Sequence, residues 1–451
     1  MDPLGVLPET RYARAGETHI AYQVVGEGPP DILLAAEFWH SIELQWDQPD
    51  LASFLQRLGS LGRLISFDQR GSGVSDPMPV DELTPLDVWM DDIRVVMDTV
   101  GSESAVVYGI GGGGTLSMLF AATYPDRVSG LILLNSFARI SRAPDYPWGR
   151  SPELEDEVHD IMRTGWGRGV FLDQIAPSRV GDEEFRKWWA RYQRVGASPG
   201  TVVKMRKMLG QFDVRDVLPS IRAPTLILHR AETHWNRVEH GRYLAEHIPG
   251  AKYVEVPGID HFSFAGDAEL ILREIETFVA GIAGPPSSDR QLSTVLFTDI
   301  VGSTQLAADL GDARWRELLE RHRALVRREL DRHRGREVDT AGDGFFATFD
   351  GPARAVHCAH AIRQGVAEQG IAIRAGLHTG EVEVLQEGLA GVAVHIGQRI
   401  LSEAEPGEVL VSSTVKDLTA GSGLEFEDRG LHALKGVPEE WRLFAVRQLS
   451  P

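Results

Sequence analysis

FTDIVGST at residues 297–304 and AGDGFFATF at residues 341–349 decide the reading of the carboxyl-terminal part of this chain. In the first stretch an apolar strand ends on Asp299, and in the second Asp343 reads as part of a tight Asp-Gly hairpin. Each aspartate alone has an ordinary structural explanation, Asp299 as a helix N-cap and Asp343 as a turn residue. Together they set two carboxylates at adjacent strand ends, which is what a pair of divalent cations needs.

Around these motifs the order of elements is strand STVLFTDI, a long helix through about 331, strands flanking AGDG, and a helix over about 352–368. Strand IAIRAGLHTG, a helix from about 391, strand EVLVS and a last strand WRLFAV follow. This order predicts an α+β sandwich, with helices packed on a mostly antiparallel sheet.

The two acidic motifs, their order, and the segments GLHTGEVE, GVAVHIGQR and LKGVPEEWRLFAV resemble class III adenylyl and guanylyl cyclases over roughly 150 residues. The resemblance implies a ferredoxin-like α+β catalytic domain over 291–451 that works as a head-to-tail homodimer with two sites across the interface. It implies that Asp299, Asp343 and the backbone carbonyl of Ile300 hold two Mg²⁺ or Mn²⁺ ions, while Arg399 and Lys435 of the partner chain meet the phosphates. Its reaction is the formation of cyclic AMP and pyrophosphate from ATP. The chemistry fits these residue types, because an attacking ribose hydroxyl needs its pKa lowered and the charge developing on the α-phosphate needs a clamp such as Arg399.

Three positions depart from the family pattern. His395 stands where an asparagine usually orients the ribose, four residues before Arg399; a histidine still donates a hydrogen bond. At the two purine-selecting positions, usually Lys and Asp in adenylyl cyclases, the chain has Asp339 and Gly388. ATP is the expected substrate, with GTP or dual specificity as the alternative. A rival reading, a pseudo-enzyme acting as an interaction protein, is opposed by the joint retention of Asp299, Asp343, Arg399 and Lys435.

Upstream, short apolar runs (DILLAA from 31, RLISF from 63, AVVYG from 105, GLILL from 130, PTLIL from 224, YVEV from 253) alternate with amphipathic helical stretches. They predict a mostly parallel sheet wrapped by helices. Between about 140 and 218 the pattern is helical without a clear strand, as in a lid. FDQRGSGVSDP at 67–77, YGIGGGGTLSMLFAATYPDRV at 108–128 and VPGIDHF at 256–262 resemble the α/β-hydrolase fold, which is assigned to residues 1–283.

The nucleophile elbow of that fold needs a Ser, Cys or Asp at its centre, and Gly111 stands there. Thr233, with Glu232 beside it, replaces the usual acid, and only the histidine persists, as His261. The domain therefore reads as degenerate: a regulatory or ligand-binding module whose lidded pocket suits a small apolar molecule. Residues 109–114 also match G-x-G-x-x-G, but the following strand ends in Leu134 and Asn135 without the acidic residue of a dinucleotide site. GIAGPPSSDR at 281–290 has a linker composition, and 284–290 is taken as the linker.

The 451 residues suit two to three domains, and 43% hydrophobic with 25% charged residues supplies sizeable cores. A net charge of −19 argues against nucleic acid as a partner. The single cysteine, Cys358, excludes an intrachain disulfide and reads as a small buried residue. Without an apolar leader or a membrane-length apolar run, a cytoplasmic location is expected, with no membrane insertion.

Overall fold

The apolar runs become strands of two separate sheets in a computed structural model that describes residues 7–78, 85–282, 290–384 and 389–447. The chain divides into two compact units, one of residues 1–84 and 88–288 and the other of residues 85–87 and 289–451. Among the described residues the first unit holds β1 (Arg11–Ala15), β2 (Thr18–Val25), β3 (Asp31–Ala35), β4 (Arg63–Phe67), β5 (Ala105–Ile110), β6 (Val128–Leu134), β7 (Thr225–Arg230) and β8 (Lys252–Val256). Their order is β1-β2-β4-β3-β5-β6-β7-β8. Pairing is parallel from β4 to β8, and antiparallel where β2 meets β1 and β4. Every residue of β6 and β7 is buried, as expected of strands covered on both faces.

The helix Gly112–Thr123 leaves β5 through a sharp turn and is buried along its whole length. Between β6 and β7 lie the helices Pro152–Gly165, Leu172–Ile175, Glu183–Gly196 and Pro199–Gln211. Ser151, Asp182 and Ser198 cap three of them, each accepting a backbone N–H three residues on. The first and last are joined by Arg206, which donates to both oxygens of Glu155 at 2.9 and 2.6 Å. The pair is nearly dry, and its bidentate geometry repays part of the desolvation.

The second unit contains β9 (Arg290–Ile300), β10 (Arg336–Ala341), β11 (Gly344–Phe349), β12 (Ile373–Val384), β13 (Leu389–Ala390), β14 (Val409–Ser412), β15 (Phe426–Ala433) and β16 (Glu440–Val446). The order is β10-β11-β9-β12-β14-β16-β15, with β13 paired to β12. β12 and β14 run parallel; the other described pairs are antiparallel.

Alternation along the central strand β9 feeds two cores. Leu296 joins the core under the helices Asp312–Arg332 and Pro352–Ala367, with Phe345, Val356 and Leu377. Val295 and Phe297 point to the opposite face and pack with Ala393 of the helix Val392–Glu403. That helix comes so close that a Cβ on Gly376 of β12 would lie 2.2 Å from the backbone nitrogen of Leu401.

Two expectations are corrected in detail. The long helix after β9 is broken at Gly311, whose φ of +73° separates Ser303–Leu310 from Asp312–Arg332. Arg290, counted with the linker, is the first residue of β9; the rest of the linker lies outside the described residues.

Candidate functional site

β9 is flanked by β11 and β12, so its last residues stand between two neighbours. Thr298 pairs with Phe345, and Asp299 pairs with Arg374. The hairpin from β10 to β11 brings Asp343 to the same end. Its two-residue loop is Gly342-Asp343, flanked by the pair Ala341 and Gly344. The expected Asp-Gly turn is thus a Gly-Asp turn, with the positive φ, +66°, at Gly342; glycine at the first central position suits this class of hairpin. The loop is held from behind by Arg323, which donates to the carbonyl of Gly342 at 2.6 Å.

Asp343 accepts the backbone N–H of Ile300 at 3.2 Å. Burial pushes its carboxyl above the usual range, and the neighbouring charge of Asp299 pushes the same way; hydrogen bonds from Ser303 and the backbone oppose them. Asp299 in turn accepts from Arg374 Nη2 at 2.9 Å. Two carboxylates this close favour a bound cation. Among the described residues no group of three or more His, Cys, Asp or Glu side chains is arranged to hold a metal ion. Two carboxylates plus oxygens from a backbone carbonyl, a triphosphate and water make the donor set that Mg²⁺ or Mn²⁺ accepts, so the pair fits these ions.

The structure brings Asp299, Ile300 and Asp343 together and leaves the other expected nucleotide-site residues elsewhere. His395 and Arg399 lie one turn apart on the helix Val392–Glu403, His395 exposed and Arg399 half-buried. Lys435 is exposed in the loop between β15 and β16. Asp339 is exposed on β10, beside a register shift, and accepts the N–H of Thr340 at 2.8 Å. Among the described residues no hydrogen bond or ion pair joins Arg399, His395 or Lys435 to either aspartate of the same chain. Gly388 lies outside the described residues.

In the first unit, Gly111 has φ +53° and ψ −118° between β5 and the helix Gly112–Thr123, so the elbow keeps its shape without a nucleophile. Thr233 is buried, and its hydroxyl has no hydrogen-bond partner among the described residues. His261 is fully buried, and its Nδ1, where an acid would bind, is also unpartnered there.

Its Nε2 instead lies 3.1 Å from Oε1 of Glu37, a residue the sequence reading passed over. Glu37 follows β3 and is only 6% exposed. Its Oε2 accepts the N–H of Gly112 at 3.3 Å. The available signal was a lone acid in the apolar stretch LLAAEFW at 33–39, where a buried carboxylate needs partners.

Residues 287–448 match the model of the adenylate and guanylate cyclase catalytic domain, and residues 40–268 match that of the alpha/beta hydrolase fold. A Rhizobium meliloti (strain 1021) protein named "Putative adenylate cyclase 3" is 30% identical over 164 residues. The match covers 33% of this chain and 27% of that protein, so the chain spans only part of this relative's length. The AB hydrolase superfamily protein YisY of Bacillus subtilis (strain 168) is 26% identical over 226 residues, 48% of this chain and 81% of that one. The enol-lactonase of Burkholderia xenovorans LB400 superposes with a TM-score of 0.51 at 24% identity, over 60% of this chain and 100% of the enzyme, a likeness of fold alone. Among the described residues no helix is long and apolar enough to cross a membrane.

Proposed function

Because this chain belongs to the alpha/beta hydrolase fold family and carries a class III cyclase catalytic domain after that fold, we propose that it forms cyclic AMP and pyrophosphate from ATP at a site completed by a second copy of the chain. The carrying observation is the pair Asp299 and Asp343 at adjoining strand ends, with Asp343 held by the Ile300 backbone.

Catalytic domains of this class depend on a metal. Asp299, Asp343 and the carbonyl of Ile300 would hold two Mg²⁺ or Mn²⁺ ions, which when bound lower the pKa of the ribose 3′-hydroxyl and neutralise the triphosphate. Arg374 steadies the Asp299 carboxylate for this task. Arg399 from the other chain would meet the charge that develops on the α-phosphate as the 3′-oxygen attacks and pyrophosphate leaves. Lys435 would bind the phosphates, and His395, one turn from Arg399, would hydrogen-bond the ribose.

Several features support a dimer. Arg399, His395 and Lys435 are turned to solvent or half-buried and are not tied to the aspartates of their own chain. Val392, on the same helix as Arg399, is 64% exposed, and Leu431 is 62% exposed, both apolar side chains of a kind that association covers. The amino-terminal unit serves as a regulatory module, since Gly111 offers no nucleophilic atom. The single free Cys358, which is buried, suits a reducing cytoplasm, where ATP is available.

Asp339 and Gly388 favour a relaxed choice of base, so GTP turnover should accompany that of ATP. The test is incubation of the full chain with Mg²⁺ or Mn²⁺ and either nucleotide, followed by identification of the product. Absence of any cyclic nucleotide under both metals would refute the proposal and leave the interaction-protein reading.

A further inference from the structure

An ideal Cβ built on Gly111 would lie 1.8 Å from Oε1 of Glu37. The Glu37 carboxyl therefore occupies the place from which a nucleophilic side chain would project. Its Oε1 contacts His261 Nε2 at 3.1 Å, as a nucleophile's oxygen would. Its Oε2 takes the N–H of Gly112, the residue after the elbow centre, whose amide serves a hydrolase as an oxyanion donor. One side chain thus blocks both seats of acyl-transfer chemistry, the attacking oxygen and the oxyanion. What remains is a binding cavity.

That cavity has a volume of about 60 Å³ and lies against Glu37, His261 and Ser263, with walls that include Trp39, Phe54 and Phe262. One water needs roughly 10–15 Å³ on this measure, so the space suits a molecule of about four to six heavy atoms. A carboxyl group has about four lone-pair sites on its two oxygens. Gly112 and His261 engage two of them. The capacity left on Glu37 is chiefly for accepting, so an occupant that donates is matched to it.

A ketone or ester brings only acceptors, and a carboxylate brings only acceptors together with the cost of burying its charge in a dry site. An ammonium group brings three donors into a mostly apolar space, and each unmet donor is costly. A hydroxyl brings one donor and can accept from Ser263, which also lines the cavity.

We propose that the amino-terminal cavity is a receptor site for a small neutral alcohol, with the hydroxyl on Glu37 and the alkyl part among Trp39, Phe54 and Phe262. This identifies a ligand class for the regulatory module proposed above and rests on that reading.

The full chain should be titrated with 1-pentanol, 2-pentanone and pentanoate, binding being read by tryptophan fluorescence and by the shift in Tm. Pentanol should bind at least about tenfold more tightly than pentanone, the scale of one unmet buried hydrogen bond, and pentanoate should not bind. In Glu37→Gln, whose amide both donates and accepts, the alcohol-to-ketone preference should fall below about threefold. Glu37→Asp keeps the carboxyl with a shorter reach, so it should retain the preference with weaker binding.

A wild-type protein that binds ketone as well as alcohol, or binds neither, overturns the proposal, as does an unchanged preference in Glu37→Gln. A second arm needs no ligand: a serine-directed fluorophosphonate should label Gly111→Ser combined with Glu37→Ala but not Gly111→Ser alone. Equal labelling of both would show that Glu37 does not hold the nucleophile's place. Cyclase rate followed in the same titration separates the two readings, since binding without any change in rate refutes the regulatory role and leaves the site.

Discussion

The carboxylate of Asp343 accepts the backbone N–H of Ile300 at 3.2 Å, so the turn between β10 and β11 is fastened to the end of β9 at the residue after Asp299. Asp343 lies 43 residues beyond Ile300 along the chain, yet this bond makes its distance from Asp299 a property of one sheet. Replacing Asp343 by Asn keeps an acceptor for Ile300 but removes a charge. Cyclase activity should fall by about a hundredfold or more. Stability should change little, or rise, because a half-buried charge beside another is relieved. Activity retained within about threefold, with unaltered Mn²⁺ affinity by titration calorimetry, would remove Asp343 from the metal site.

The proposed shared-site arrangement makes a quantitative prediction about mixing. Asp299→Ala and Arg399→Ala should each be inactive, but a heterodimer of the two carries one site with both lesions and one intact site. At random equal pairing the mixture should recover about a quarter of wild-type activity, since half the dimers are mixed and each has one good site of two. No recovery in co-expressed, verified heterodimers would place all the catalytic groups in one chain.

Base choice follows from hydrogen-bond matching. A lysine suits the N1 acceptor of adenine, whereas Asp339 presents only acceptors. The ratio of kcat/KM for ATP over GTP should rise by about tenfold to a hundredfold in Asp339→Lys combined with Gly388→Asp, the scale of one buried hydrogen bond. A wild-type ratio as large as that of the double variant would show that these positions do not read the base.

His378 supplies a pH dependence away from the chemistry. Burial pushes its imidazole down to about 3, where it meets the hydroxyl of Ser412 at 2.9 Å and the edge of Trp441. The unfolded chain binds a proton near pH 6.5 that the folded chain refuses. Stability of this unit is therefore unaffected by His378 above that pH and falls as the pH drops below it, by up to about 1.4 kcal/mol per pH unit until about pH 3. In urea titrations at pH 7 and pH 5, His378→Gln should lose less stability on acidification than the wild type, by up to about 2 kcal/mol. Equal losses in the two proteins would mean that His378 is charged, or solvated, in the fold.

Local patterning carried much of this in the sequence. The parallel sheet was legible because β6 and β7 carry the apolar runs LILL at 131–134 and LIL at 226–228, and the second unit because strand and helix periods alternate around two acids that end or turn strands. The missing nucleophile could be read from one residue, Gly111, since a glycine has no atom to attack with. The detail of the Asp343 turn was not legible: which two of Ala341-Gly342-Asp343-Gly344 form the loop depends on the register of β10 against β11, and hence on the side chains each strand buries.

The sequence by itself determined the two folds, the acids at the strand ends and the empty elbow, because each rests on residue type and short-range spacing. Only the tertiary structure decided what replaces the absent nucleophile. Glu37 and Gly112 are 75 residues apart, and His261 is 224 from Glu37; they meet because β3 and β5 are parallel neighbours in the sheet. A glutamate after a strand has no chemical meaning until that pairing brings it to the glycine whose side-chain space it fills.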